Sequence, residues 1–184
     1  ISSDLFENCT SLKTIKLPES VHTIEKTAFL NCSSLSKILI PDTVEHLRRS
    51  AFEGCSALVE IKIPGSVTTI TPGLFKLCTS LVKVELHDHI QNFESEVFYG
   101  CTSLREVTIP DNVWRLGDSI FEGCSSLESV QLPAKLYSLP RGAFKGCSNL
   151  KSITIPDKIN EISDECFANC SQLEHVDFPS RLCK

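Results

Sequence analysis

Cysteine is the residue type here whose spacing raises the possibility of chemistry. Eight of the ten cysteines (Cys9, Cys32, Cys55, Cys78, Cys101, Cys124, Cys147 and Cys170) stand 23 residues apart without an insertion. Ten cysteines in a secreted chain suggest disulfides. A single column flanked by apolar residues suggests instead buried thiols, since free Cys packs as a small hydrophobe. Parallel side chains one rung apart also lack the Cβ approach and torsion of a disulfide. The expectation is therefore a ladder of reduced, buried thiols. Cys166 replaces an alanine of an Ala-Phe column and is expected in the core. Cys166 and Cys170 could share a helical face, but a zinc site needs a second Cys pair or suitably spaced His, and neither is present. Cys183 falls in a variable column near the end of the chain and is the expected reactive thiol.

The other candidates are fewer. His87-Asp88-His89 would put two imidazoles on one side of an extended chain, too few ligands for a metal, so a surface loop is expected. Asn8, Asn31 and Asn169 open Asn-Cys-Ser/Thr sequons, which matter only in a eukaryotic secretory route. One variable column reads His22, Glu45, Thr68, Gln91, Trp114, Tyr137, Asn160 and Cys183. Trp114 and Tyr137 should sit on adjacent rungs about 4.8 Å apart, close enough to stack. Arg115 is next to Trp114 and Arg141 is four residues past Tyr137. Exposed aromatics with arginine are the composition of binding hot spots, so Trp114, Tyr137, Arg115 and Arg141 are the candidate binding residues. The alternative is a pair of aromatics that only cover their neighbours. No Gly-rich phosphate loop, Gly-x-Ser-x-Gly or acid–base cluster occurs, so no catalytic residue, metal or cofactor is expected.

The elements that hold these residues follow from the period. The 184 residues are eight units of 23. Phe6 to Phe167 and Leu12 to Leu173 keep the same beat as cysteine, as do Ile15 to Val176 and Leu17 to Phe178. Proline follows at Pro18, Pro41, Pro64, Pro110, Pro133, Pro156 and Pro179, with His87 in the one gap. Such a period predicts a solenoid, because one unit cannot bury its own apolar face and stacked units can. Leu12-x-x-Ile15-x-Leu17 ends in strand alternation, and Pro18, lacking an N–H, stops it. Val21-x-x-Ile24 predicts a second short extended stretch, and the approach to Ala28-Phe29 and Cys32 has room for one or two helical turns. The residue before each Cys is Asn or Gly in seven repeats and Leu77 in the eighth, which predicts a left-handed turn there. The residue after each Cys is Ser or Thr, suited to bonding the local turn backbone.

Leu12-x-x-Ile15-x-Leu17-Pro18, Val21-x-x-Ile24 and Ala28-Phe29-x-x-Cys32, repeated eight times, resemble the BspA-like class of leucine-rich repeats. The resemblance implies an α/β repeat fold. It would be a right-handed curved leucine-rich repeat solenoid with a parallel sheet on its concave face and short helical or turn segments elsewhere. It also implies kinship with surface proteins, some of which act in adhesion. The chain departs from the commoner leucine-rich repeat in the column Ser20, Thr43, Ser66, His89, Asn112, Lys135, Lys158 and Arg181, so the buried asparagine ladder of those proteins should be absent.

The whole chain, 1–184, is thus expected to be one solenoid domain. With no Met and no capping unit it reads as a fragment of a longer protein, whose open ends invite end-to-end self-association. A net charge of −5 argues against nucleic acid as partner, and no apolar run approaches the roughly 20 residues of a membrane span. The expected function is recognition of a protein or glycan partner by a surface or secreted protein. The alternative is a cytoplasmic scaffold. The predicted sheet face, carrying pairs such as Lys37/Leu39 and Glu60/Lys62, is a further place to look for a partner.

Overall fold

The computed structural model describes residues 1–178. Within them the chain winds through eight rungs. Each rung contributes a three-residue strand: β1 (Thr14–Lys16), β3 (Lys37–Leu39), β5 (Glu60–Lys62), β7 (Lys83–Glu85), β9 (Glu106–Thr108), β11 (Ser129–Gln131), β13 (Ser152–Thr154) and β15 (His175–Asp177). A two-residue strand follows the first seven of these: β2 (Thr23–Ile24), β4 (His46–Leu47), β6 (Thr69–Ile70), β8 (Asn92–Phe93), β10 (Arg115–Leu116), β12 (Ser138–Leu139) and β14 (Glu161–Ile162). All pairing is parallel and in register by one repeat, as Thr14 with Lys37 and Leu116 with Phe93. In the first ladder the strands bond two by two, β1 with β3, β5 with β7, β9 with β11 and β13 with β15.

Alternation sets the faces. In β3 and β5 the central Ile38 and Ile61 are buried and both flanking residues are exposed. After β1, β3, β5, β9, β11 and β13 a proline ends the extended stretch and its carbonyl accepts the N–H three residues on, as from Val21 to Pro18 at 3.1 Å. His87 keeps that turn, Ile90 N–H to His87 O at 3.2 Å.

The helical turns expected before each cysteine are not present; the described residues contain turns and strands only. The reason lies in the backbone. Residues 4, 27, 50, 73, 96, 119, 142 and 165 all have positive φ, and so do 8, 31, 54, 77, 100, 123, 146 and 169. A left-handed residue every fourth position cannot sit in a right-handed helix. Between them the amides alternate in use. The N–H of Thr27, Phe29 and Asn31 donate to Arg49, Ala51 and Glu53 of the next rung, while Ala28, Leu30 and Cys32 bond within their own turn. The turn segment is therefore itself an inter-rung ladder.

The core is a set of stacked columns. The phenylalanines from Phe6 to Phe167 stack ring on ring, with centroids between 5.1 Å and 6.0 Å apart. Such contacts add about 0.5–1.5 kcal/mol per pair beyond burial. Among the described residues no helix is long and apolar enough to cross a membrane.

Candidate functional site

The cysteine column occupies the core as expected. Cys32, Cys55, Cys78, Cys101, Cys124 and Cys147 are fully buried, Cys166 is buried, and Cys9 and Cys170 at the two ends are half-buried. All nine are free thiols. Each thiol of the 23-residue column from Cys32 to Cys170 also makes a bond that spacing alone did not indicate. Cys101 Sγ donates to the carbonyl of Phe75, 26 residues earlier, at 3.1 Å. Cys78 does the same to Phe52 at 3.1 Å and Cys124 to Phe98 at 3.0 Å. The side chain is thus a small apolar filler with one weak donor, which crosses from rung to rung.

Burial, aided by the neighbouring thiol, raises the Cys32 thiol to about 11 and Cys166 to about 12. It carries Cys55, Cys78, Cys101, Cys124 and Cys147 higher still. A thiol that stays protonated is neither nucleophile nor metal ligand. Cys183 lies outside the described residues.

The hydroxyls of Ser56, Thr79, Thr102, Ser148 and Ser171, each next after a Cys, bond the preceding rung rather than their own turn. Ser56 Oγ donates to Ser33 O at 3.3 Å and Ser148 Oγ to Ser125 O at 3.2 Å, each one repeat back. The column that lacks the asparagine ladder is likewise used for stacking: Thr43 Oγ1 donates to Val21 O at 2.8 Å, Ser66 Oγ to Val44 O at 2.6 Å and Asn112 Nδ2 to Asp88 O at 2.8 Å. His87 and His89 join this pattern, on Pro64 O and Gly65 O at 2.8 and 3.1 Å. Their rings meet edge to face at 5.5 Å. Among the described residues no cluster of three or more His, Cys, Asp or Glu is arranged for a metal. The sequon asparagines sit at the positive-φ turn, and Asn31 Nδ2 donates to Asn8 Oδ1 at 3.0 Å.

Trp114 and Tyr137 do come together. Each precedes a short strand, β10 or β12, whose Leu116 or Leu139 points into the core. Trp114 N–H donates to Gln91 O at 3.2 Å, and Asn160 N–H to Tyr137 O at 3.0 Å, so backbone bonds to neighbouring rungs hold the column. The two rings stack with centroids 6.4 Å apart and planes 18° apart. They remain 42% and 47% exposed. Gln91 and Asn160, both exposed, flank the pair on the same column. Trp114 also walls a cleft of about 680 Å³ with Thr68, His89, Gln91, Asn112 and Lys135. That cleft was not legible in the spacing, because its walls come from three separate columns.

The two arginines have different situations. Arg115, on β10, is exposed and registers with Asn92 of β8, whose buried Oδ1 has no hydrogen-bond partner. Among the described residues Arg115 makes no ion pair. Arg141 lies on the turn segment and bonds Glu165 at 2.9 Å. Lys145 bonds the same carboxylate at 2.6 Å, and the two cations hold Glu165 down at about 2. Arg141 is thus committed to the next rung's turn.

Comparison with known proteins completes the picture. A search of the curated proteins returned no match. Among solved structures, a leucine-rich repeat protein from Bacteroides ovatus is 37% identical over 92% of this chain and 46% of its own length, with a TM-score of 0.90. The chain therefore spans about half the length of that relative. The Treponema pallidum leucine-rich repeat protein is 29% identical over 94% of this chain and 70% of its own, with a TM-score of 0.65. A leucine rich cell surface protein from Faecalibacterium prausnitzii shares the fold at 23% identity, 95% and 75% coverage and a TM-score of 0.62. The profile of the BspA type leucine rich repeat region matches six copies over residues 1–128 and 70–184. Stacked rungs in single-repeat register, the Phe and Cys columns and this match agree: the chain belongs to the BspA-type leucine-rich repeat family.

Proposed function

We propose that the chain is a non-catalytic recognition module of a surface or secreted leucine-rich repeat protein, binding a protein or glycan partner. The surface location rests on the family resemblance, which also implies the right-handed, concave form of the sheet. The observation that carries the reading is the stacked Trp114–Tyr137 pair, half exposed on a rigid column beside a polar cleft. A monomer has little reason to expose its one Trp and one of its two Tyr side by side, and such residues are enriched where binding energy concentrates. Backbone bonds to the flanking rungs hold the two positions and the stacking restrains the rings, which lowers the side-chain entropy lost on binding. Arg115 stands beside it, free to add a charged contact.

The test is to screen the protein and its Trp114→Ala/Tyr137→Ala variant against immobilised glycans and extracellular proteins. A ligand bound through this site loses about tenfold or more in affinity when the pair is removed. Ligands that bind both proteins equally refute the assignment.

The second reading is a resident cytoplasmic scaffold, and a specific observation favours it. Every described cysteine is a free thiol, and seven of them donate to a backbone carbonyl, which suits a reducing compartment. Intact mass on native-source protein, alkylated after denaturation without reductant, separates the two. Sugar mass on Asn8, Asn31 or Asn169, or fewer than the full set of alkylations, places the chain in a secretory route.

A further inference from the structure

The sheet face carries its charge unevenly. Along β1, β3, β5 and β7 the exposed positions hold Lys16, Lys37, Lys62 and Lys83 against only Glu60 and Glu85. Both carboxylates are already engaged, Glu60 by Lys37 at 3.9 Å and Glu85 by Lys83 at 2.5 Å. Lys62 adds a weaker pull on Glu85 from the neighbouring strand. Among the described residues neither Lys16 nor Lys62 forms an ion pair. These two lysines bracket Leu39: Lys16 registers with it across β1–β3, and Lys62 holds the same position one repeat on. Leu39 is 72% exposed, more than any other large apolar side chain described. Leu39 and Lys62 share a shallow cleft of about 210 Å³ with Lys37, Glu60 and Glu85. An acidic protein of net charge −5 thus presents a basic face with an apolar side chain at its centre.

We propose that this end of the sheet face docks an extended acidic polypeptide segment, with one apolar side chain seated on Leu39 and a carboxylate on each of Lys16 and Lys62. The spacing fits. The two lysines stand two rungs apart, so each is about 4.8 Å from the Leu39 row. In an extended ligand the side chains on one face repeat about every 6.7 Å, and the long lysine stems absorb the difference of about 2 Å. The ligand is a peptide rather than a continuous polyanion, because Glu60 and Glu85 oppose unbroken negative charge and Leu39 offers nothing to a sulfated sugar. Complementary charge steers the encounter and sets the register, while burial of Leu39 supplies affinity. The surface is separate from the Trp114 column and does not rest on that reading.

The test uses fluorescence anisotropy with a labelled Gly-Gly-Glu-Thr-Leu-Thr-Glu-Gly-Gly peptide. Its Gln-for-Glu form and a heparin-derived hexasaccharide serve as comparators. The acidic peptide should bind, and weaken steeply between about 0.02 M and about 0.2 M salt. Lys16→Glu/Lys62→Glu should abolish binding, Leu39→Ser should weaken it about tenfold, and Trp114→Ala/Tyr137→Ala should leave it unchanged. All substitutions are at exposed positions, and circular dichroism confirms that each variant is folded. Equal binding of the Gln peptide, a heparin fragment that binds with no effect of Leu39→Ser, or no binding of the acidic peptide would each overturn the proposal.

Discussion

Raising the pH should unfold this protein through its cysteine column. Cys55, Cys78, Cys101, Cys124 and Cys147 are 0% exposed, and their thiols are held well above the ordinary value of 9.0 by burial and by the next thiol in the column. Well below pH 9, at about pH 8 and under, each thiol is protonated whether the chain is folded or not, and stability is complete. Above pH 9 the unfolded chain releases those protons and the folded chain cannot, so the folded state holds more protons and stability falls as pH rises. One unit above its ordinary value, each thiol contributes about 1.4 kcal/mol to the unfolded state. Five together contribute about 7 kcal/mol at pH 10, comparable with the roughly 5–15 kcal/mol that holds a domain folded. Guanidinium unfolding between about pH 7.5 and pH 10.5, with reductant throughout, measures the loss. The Cys101→Ala/Cys124→Ala variant separates thiols from Lys and Tyr. It is less stable at neutral pH, since two packed side chains and their bonds to Phe75 and Phe98 are gone. Its further loss between pH 8 and pH 10 should be smaller than the parent's by about 3 kcal/mol. Parallel losses in parent and variant would refute the claim that these thiols remain buried and protonated in the folded protein.

The backbone offers two sharper tests. A methyl group on Gly117 would lie 2.3 Å from the carbonyl carbon of Glu94 and from the Ser95 nitrogen, whereas one on Gly65 meets nothing within 4 Å. Gly117→Ala should therefore cost about 3 kcal/mol or more by thermal or denaturant unfolding, and Gly65→Ala should be neutral or stabilise by about 0.5 kcal/mol. Leu77 is held at φ 60° in a column otherwise filled by Gly and Asn, and its side chain is 42% exposed. Leu77→Gly should raise stability by about 0.5 kcal/mol, the left-handed penalty of about 1–2 kcal/mol being partly offset by the entropy of a new glycine. A fall in midpoint would show that Leu77 packs more usefully than its exposure suggests.

How far the sequence carried can be seen column by column. The turn before each cysteine was legible in its Asn and Gly, and it holds even at Leu77, where stacking imposes the conformation on an unsuitable residue. The second left-handed column was not legible. It reads Asp4, Thr27, Ser50, Gly73, Glu96, Ser119, Gly142 and Glu165, and only two of these are glycine. Nothing in such residue types announces positive φ; the inter-rung bonds on either side impose it, as from Phe29 N–H to Ala51 O. That omission is why helical turns were expected. Trp114 and Tyr137 could be paired from spacing, because adjacent rungs put equivalent positions side by side. Arg141 could not be placed, because its partner is a carboxylate 24 residues on, chosen by the direction of a turn.

By itself the sequence determined the period, and with it the register, the apolar columns and the family, because a strict repeat of 23 leaves stacking as the one way to bury those residues. It also determined which side chains could be aromatic neighbours. The tertiary structure alone decided where polar groups find partners. A thiol reaching Phe75, a hydroxyl reaching the rung behind it, and Leu39 left bare between two unpaired lysines all depend on directions of approach. Spacing along a chain sets which residues are near one another, but hydrogen bonds and exposed faces are set by orientation, and orientation exists only once the rungs are stacked.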